Sequence, residues 1–306
     1  MPAGKAGKAS CLLSGHNRNS PLGEGIAQRY EASALSCDFN DEIFSQMGVE
    51  AVVDQIRISV AVVTYNGVRY LAAQLDSILN QLGEEDEVVI SDDGSKDGTI
   101  DLIRSFQKTD SRIRLIQGPG KGVKKNVEHA LLHTRGKYIF LADQDDIWLD
   151  TKVETVMNCF REKQCMVVIH DAHVFAGENF KEFIMDSFFD FRNAGAGVFK
   201  NIVKNSYIGC CMAFRRELLE IVVPIPSCIE MHDQWIGVLG DALFGASCFC
   251  EKPLLLYRRH GENQSDMKHY GIFKMIRNRI VFVTCFVARM IREKICGRKR
   301  GKHKGV

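Results

Sequence analysis

Three carboxylates within four positions are the residues most able to do chemistry. In "LADQDDIW" (141–148), Asp143, Asp145 and Asp146 follow "KYIFLA", an apolar run that reads as a buried strand. Like charges at the mouth of a core strand repel, and burial raises the cost of each. A divalent cation relieves that cost. Asp143 and Asp145, two positions apart at a strand end, can face one ion, and the ion can bridge the diphosphate of a nucleotide. Oxygen ligands of this kind suit magnesium or manganese, which keep one or two carboxylates and complete their shell with phosphate and water.

Three more polar clusters follow β-branched runs: "TYNG" (64–67), "SDDGSKDGT" (91–99) and "GPGKGVKKN" (118–126). The last places Lys121, Lys124 and Lys125 near a helix N-terminus, where an anion is favoured. It is neither a Walker A loop nor a dinucleotide fingerprint. Each cluster also has a plainer account: "SDDGS" makes a good turn and cap, and the lysines suit a solvated helix face. His129 and His133, four apart, lack a third ligand and read as helix surface. "HDAH" (170–173) ends a later strand and fits a buried histidine as well as an acceptor-facing one.

These clusters need elements to position them. From residue 57 the chain alternates, with "RISVAVVTY", "DEVVISDD", "RIRLIQ" and "KYIFLAD" as strands. Between them "VRYLAAQLDSILNQL", "DGTIDLIRSFQK" and "GVKKNVEHALLHT" have helical periodicity. Repeated βα units predict a parallel sheet covered on both faces, with ligands beyond the carboxyl ends of the strands. All four clusters stand at such ends.

The 306 residues, 45% hydrophobic and 25% charged, suffice for a sizeable core. Residues 1–55 are rich in Gly, Ser, Ala and Asn and read as a disordered or extended leader without the apolar core of a signal peptide. The net charge of +2 divides unevenly: residues 269–306 hold eleven Lys/Arg and one Glu, +10, which leaves −8 for the rest. An acidic body with a basic tail argues against nucleic acid along the main fold and favours a tail that meets an anionic surface. The longest apolar stretch there, Ile280 to Ala288, is nine residues, against about 20 needed to span a bilayer. The segment reads as an interfacial helix in peripheral contact with anionic membrane, or as a helix packed on the domain with a solvated basic tail. Eleven cysteines without paired spacing suit reduced thiols in the cytoplasm, and "SCFC" (247–250) reads as strand.

In this order the clusters resemble the family-2 glycosyltransferases of the GT-A fold. "ISVAVVTYNGVRYLAAQLDSILNQ", "EVVISDDGSKDGT" and "KYIFLADQDDIW" are similar to that family's first strand, nucleotide-binding acid and Asp-x-Asp motif. "MHDQWIGVLG" (231–240) and "PLLLYRRHGENQS" (253–265) are similar to the subgroup making bacterial surface polysaccharides, rhamnosyltransferase-like members included. The likeness covers roughly residues 57 to 265. It implies an α/β, Rossmann-like, mostly parallel sheet flanked by helices: a GT-A domain at 56–268, after the leader at 1–55 and before a basic amphipathic helix and tail at 269–306. It also implies an inverting, metal-dependent transfer from a UDP- or dTDP-sugar to a glycan or lipid-linked acceptor; an acceptor of the latter kind at the cytoplasmic face would explain membrane contact by the basic C-terminal segment.

Carried over residue by residue, the resemblance implies that Thr64, Tyr65 and Asn66, with Asp93 or its neighbour Asp92, contact base and ribose. Lys125 and Asn126 would lie near the donor sugar and phosphates, and Asp143 on the ribose side. Asp143, Asp145 and the late His260 would hold magnesium or manganese. Asp233 of "HDQW" matches the general base of inverting members, with His232 where the family often has Glu. From the residues alone Asp233 reads first as the N-cap of a helix at 234–240. Two other classes compete: a sugar-phosphate nucleotidyltransferase and a non-catalytic nucleotide-sugar-binding protein. The first usually has a Gly-rich loop with Arg and Lys where "TYNGVRY" stands, and the second has no need of Asp143, Asp145 and Asp233 together.

Overall fold

The computed structural model describes residues 56–177, 183–260 and 271–302, so the expected leader lies outside the described residues. The βα units fall where the periodicity puts them. Strands β1 (Ile58–Thr64), β2 (Glu87–Asp92), β3 (Ile113–Gln117) and β4 (Tyr138–Asp143) pair in parallel in the order β3-β2-β1-β4. Helices α1 (Val68–Leu79), α2 (Thr99–Thr109) and α3 (Val123–His133) make the crossovers.

β1 shows why the sheet is covered twice. All seven of its residues are buried, and successive side chains go to opposite faces. Ile58, Val60 and Val62 join Leu71, Leu75 and Ile78 of α1 on one face; Ala61 and Val63 join Val127, Ala130 and Leu131 of α3 on the other. The spacing 71, 75, 78 puts the three α1 side chains on one helical stripe. Burying each such aliphatic side chain contributes about 1.5–3 kcal/mol.

Past β4 the sheet is more mixed than the alternation predicts. The chain continues through β5 (Ile147–Trp148), α4 (Lys152–Lys163), β6 (Val167–Ala176), β7 (Phe183–Met185), α5 (Phe188–Arg192), α6 (Val198–Val203), β8 (Met212–Arg215), α7 (Leu219–Val222), α8 (His232–Phe244) and β9 (Cys248–Arg259). The full order is β3-β2-β1-β4-β8-β6-β9-β5, with β7 on β6. β8 runs antiparallel to β4 and β6, whereas β6 and β9 are parallel. Helical crossovers keep the first four strands parallel; beyond β4 the connections range from a few residues to long helical excursions and set no common strand direction. "SCFC" opens β9, as expected. "HDAH" lies inside β6 and does not end it.

At the edge away from the strand ends, Glu87 is buried and accepts from Ser59 Oγ at 2.7 Å, Arg114 Nη1 at 2.6 Å and Arg135 Nη2 at 2.8 Å. Burial pushes its carboxyl up, but these hydrogen bonds together hold it below its ordinary value. The C-terminal helix is α9 (Ile272–Lys302), and it packs on the domain. Phe282 is buried against Trp235 of α8, edge to face at 5.9 Å. The Arg289 guanidinium lies 5.3 Å over the Trp235 ring and donates to the carbonyls of Ile221, Val223 and Pro224. No helix among the described residues is long and apolar enough to cross a membrane.

Candidate active site

Parallel register sets the address of the site. Thr64 lies opposite Asp92, and Val63 opposite Asp143, so three strand ends meet at one edge. Thr64 Oγ1 donates to Asp92 Oδ2 at 2.7 Å, and Asp92 also accepts from Gly94 N at 3.1 Å, Ser95 N at 2.8 Å and Ser95 Oγ at 2.6 Å. Asp92 therefore fastens the turn after β2 onto β1. Asp93 reaches the glycine loop, accepting from Gly120 N at 2.7 Å and Gly122 N at 2.8 Å. Both glycines have positive φ, +63° and +82°, where a side chain would be strained.

The first loop is fixed as firmly. Asn66 N donates to Ser95 Oγ at 2.8 Å, and Asn66 Oδ1 accepts from Lys96 N at 2.9 Å. Tyr65 leaves its ring 55% exposed at the rim, while its main chain pairs with the Gln144 carboxamide: N to Oε1 at 2.8 Å and O from Nε2 at 3.1 Å. A Cβ on Gly67 would stand 2.2 Å from Gln144 Oε1 and would displace the Gln144 carboxamide from the Tyr65 main chain.

In that motif Asp143 stays partly open to solvent. Burial first, then the charges of Asp145 and Asp233, push its carboxyl up to about 7. Asp145 Oδ2 meets His260 Nε2 at 2.6 Å, and the His260 ring stacks on Tyr70 at 5.1 Å. Arg258 Nε donates to the Asp145 carbonyl at 2.8 Å, and Arg258 N donates to Asp146 Oδ1 at 3.0 Å. Asp146 is fully buried. Its other oxygen finds no better partner among the described residues than the nearby Cys210 thiol, and burial pushes this carboxyl well above the usual range. One oxygen of Asp143, one of Asp146 and the Cys210 sulfur lie within 4.8 Å of one another. Beside them Lys152 Nζ donates to the Cys210 carbonyl at 2.9 Å and sits 4.0 Å over Trp148; burial brings it down to about 8.

This donor set fits a hard divalent cation. Asp143 and Asp146 each bring an oxygen to one spot, Asp145 with its partner His260 adjoins them, and one oxygen of Asp146 is poorly partnered among the described residues. The Cys210 thiol, a soft ligand, suits such an ion less well.

Helix α8 brings the remaining carboxylate. Met231 holds the cap position and Asp233 follows His232 inside the first turn, so Asp233 is not the N-cap. Its Oδ1 accepts from Gln234 N at 2.6 Å and from Asn205 Nδ2 at 3.3 Å. It is 4% exposed, and burial pushes it up to about 6. Because its charge also raises Asp143, the two carboxylates act on one electrostatic space. His232 is brought down to about 4 by burial and by Lys124, and is therefore neutral at neutral pH.

The lysine loop has another job. Lys124 Nζ donates to the carbonyls of Ser227 and Ile229, while Lys125 Nζ pairs with Glu128 and donates to the Ile225 carbonyl. Both ammonium groups hold the segment at 225–229 where the sequence suggested a phosphate. Asn126 is buried with both ends of its amide on Ser91, so it locks α3 to β2. His129 Nδ1 contacts Ser91 Oγ at 3.1 Å, and His133 Nδ1 contacts the His129 carbonyl at 2.8 Å; they form no metal pair. Asp171 accepts from Ala172 N, Ser187 Oγ and Phe189 N and pins the start of α5. Sequence reasoning missed Gln144, Asn205 and Arg258. Arg258 stood inside the quoted "YRRHG", whereas Asn205 has no local signal.

The sequence model described as "Glycosyl transferase family 2" matches residues 59–222. The putative teichuronic acid biosynthesis glycosyltransferase TuaG of Bacillus subtilis is 28% identical over 206 residues, 65% of this chain and 79% of that one. An uncharacterised glycosyltransferase of Nostoc sp. is 26% identical over 215 residues, 68% of this chain and 66% of its own length. Among solved structures, residues 1–349 of S. aureus TarS in complex with UDP-GlcNAc superpose with a TM-score of 0.56 at 18% identity, covering 74% of this chain and 66% of that one.

Proposed function

We propose, because this chain belongs to glycosyl transferase family 2, that it moves a sugar from a nucleoside diphosphate donor to a glycan or lipid-linked acceptor in polysaccharide biosynthesis, with inversion at the anomeric carbon. Its fold is the GT-A fold, shared with TarS. The name of TuaG supports the polysaccharide assignment, and the UDP-GlcNAc held by TarS supports a nucleotide sugar, here a UDP- or dTDP-sugar. The reaction is assigned to the cytoplasm.

One observation supports the reading: Asp143, at the strand end beside Asp145 and its partner His260, shares its electrostatic space with a second buried carboxylate, Asp233, from a different element. Thr64, Asp92 and Asp93 hold the strand-end loops that form the nucleotide side, with Tyr65 and Asn66 at the rim and Asp143 toward the ribose. Lys125 and Asn126 support that side at one remove, through the 225–229 segment and Ser91. Asp143, Asp145 and His260 would hold magnesium or manganese. When bound, such an ion supplies positive charge against the charge developing on the departing diphosphate. Asp233 keeps Oδ1 on Gln234 and Asn205, which leaves Oδ2 to take the proton of the acceptor hydroxyl as its oxygen attacks. A carboxyl near 6 is ionised at neutral pH yet basic enough for that transfer, worth about 100- to 10,000-fold.

The test is nucleoside diphosphate release from UDP- and dTDP-sugars, with magnesium or manganese and with glycan and lipid-linked acceptors, beside donor binding by calorimetry. Release that requires acceptor is the expected result. Donor binding without release under any combination would make the chain a nucleotide-sugar-binding protein.

A further inference from the structure

Helix α9 has two apolar faces, and the fold uses one. Phe282 and Arg289 mark the face against α8. Phe273, Ile276, Ile280, Val283, Val287 and Ile291 are all exposed, Phe273 at 91%. At about 100° per residue these six fall within an arc of about 80°, centred roughly 160° from the docked face. An isolated exposed apolar residue needs no explanation, but an ordered stripe five turns long does. The stripe continues onto a second element: Arg279 of α9 donates to the Val203 carbonyl of α6, and α6 exposes Val203 and Phe199, the latter at 86%. Lys294 lies within the arc and Arg277 beside it, and Lys274 and Arg292 add to the basic charge of the helix, against the single acid Glu293 in α9.

We infer that the outer face of α9, continued by Phe199 and Val203 of α6, is a seat for an anionic lipid bilayer, on which the helix lies flat with its apolar stripe in the interface. This goes beyond the transfer reading and does not depend on it, since the face would bind lipid whatever the chemistry of the strand ends. Charge selects the occupant. A second copy on the same stripe would bring two basic helices together, whereas anionic headgroups complement them. The spacing 276, 280, 283, 287 would otherwise suit a helix pair. Trp235, which α9 covers, stands two residues after Asp233 on α8. Seating α9 on a membrane therefore fixes the helix that bears Asp233 relative to that membrane.

Deleting α9 would be a poor test, because it uncovers Trp235 and the carbonyls at 221–224. The test is flotation of the whole chain, without donor, with vesicles of phosphatidylcholine alone or mixed with phosphatidylglycerol. Wild type should float with the anionic vesicles, and less so as salt rises. Phe273→Ser, Ile280→Ser and Val287→Ser combined should lower the bound fraction roughly tenfold or more, with melting temperature and donor binding unchanged. Unchanged flotation of the triple variant would overturn the inference, as would equal binding to neutral vesicles. So would a wild-type dimer that the triple variant dissolves in sedimentation equilibrium, which would make this face a contact between copies.

Discussion

Asp233→Asn should make the protein more stable and nearly inactive at once. Asn keeps Oδ1 where Gln234 N and Asn205 Nδ2 need it, and places an amide nitrogen where Oδ2 stood. Burial lifts Asp233 from 3.8 to about 6, and a shift of roughly two units means that its ionised form costs the folded chain about 3 kcal/mol. The folded state binds this proton more tightly than the unfolded state. The penalty is therefore absent below about pH 4, grows as pH rises, and is complete above about 6. At pH 7.5 the Asn variant escapes it. With about 2–4 °C per kcal/mol for a domain of this size, melting should rise by up to roughly 6–12 °C, and by less if the new amide lacks an acceptor. Turnover should fall by about 100- to 10,000-fold, and the acid limb of kcat/KM expected of wild type near pH 6 should be missing from the variant. Nucleoside diphosphate release from pH 5 to 8, with calorimetric donor binding and a melting curve, reads all three. A folded Asp233→Asn protein with near-normal turnover would refute the base assignment, and a melting difference between variant and wild type that stays the same from pH 4 to 7.5 would refute the burial argument.

Asp145→Ala should abolish turnover and metal-dependent nucleotide binding, whereas full activity in excess EDTA would contradict a cation held by Asp143, Asp145 and His260. Glu87→Ala removes the buried partner of Arg114, Arg135 and Ser59 and should cost about 1–3 kcal/mol in urea unfolding, because the half-exposed guanidiniums can turn to water. Because the Glu87 carboxyl is held below its ordinary value, its contribution should be present above about pH 4.5 and fade as pH falls; a wild-type loss of stability below that pH undiminished in Glu87→Ala would place the cause elsewhere. Removing residues 1–50, whose composition buries little, should leave the melting temperature nearly unchanged, and a drop of more than a few degrees would show that they pack.

How much of this was legible depended on range in sequence. β1 and β4 were readable because β-branched runs bounded by Gly, Asn and Asp are local signals, and α1 because Leu71, Leu75 and Ile78 repeat at helical spacing. The Asp motif was readable as a cluster, and the structure joins Asp145 to His260 by a hydrogen bond. The partners of Lys124 and Lys125 were not legible, because an anion loop and a loop clamp have the same composition. The carbonyls that choose between them lie about a hundred residues away. Asn205, which steadies Asp233, is one polar residue in a connection and gains its meaning only when α8 closes over it. The reversal of strand direction at β8 has the same origin, since antiparallel pairing of β4 with β8 joins segments whose local patterns are silent about each other.

The contact between Asp145 and His260 spans 115 residues, and this gives the enzyme a birth order. During synthesis at about 5–20 residues per second, β1 to β4 leave the ribosome first, and the imidazole that meets Asp145 follows roughly 6 to 23 seconds later. Arg258, whose main chain and guanidinium hold Asp146 and Asp145, belongs to the same late strand. For that interval the nascent chain carries three crowded carboxylates without the groups that tame them. A sheet of four parallel strands can take shape in that time, but the centre that would act on a sugar nucleotide waits for the last strand.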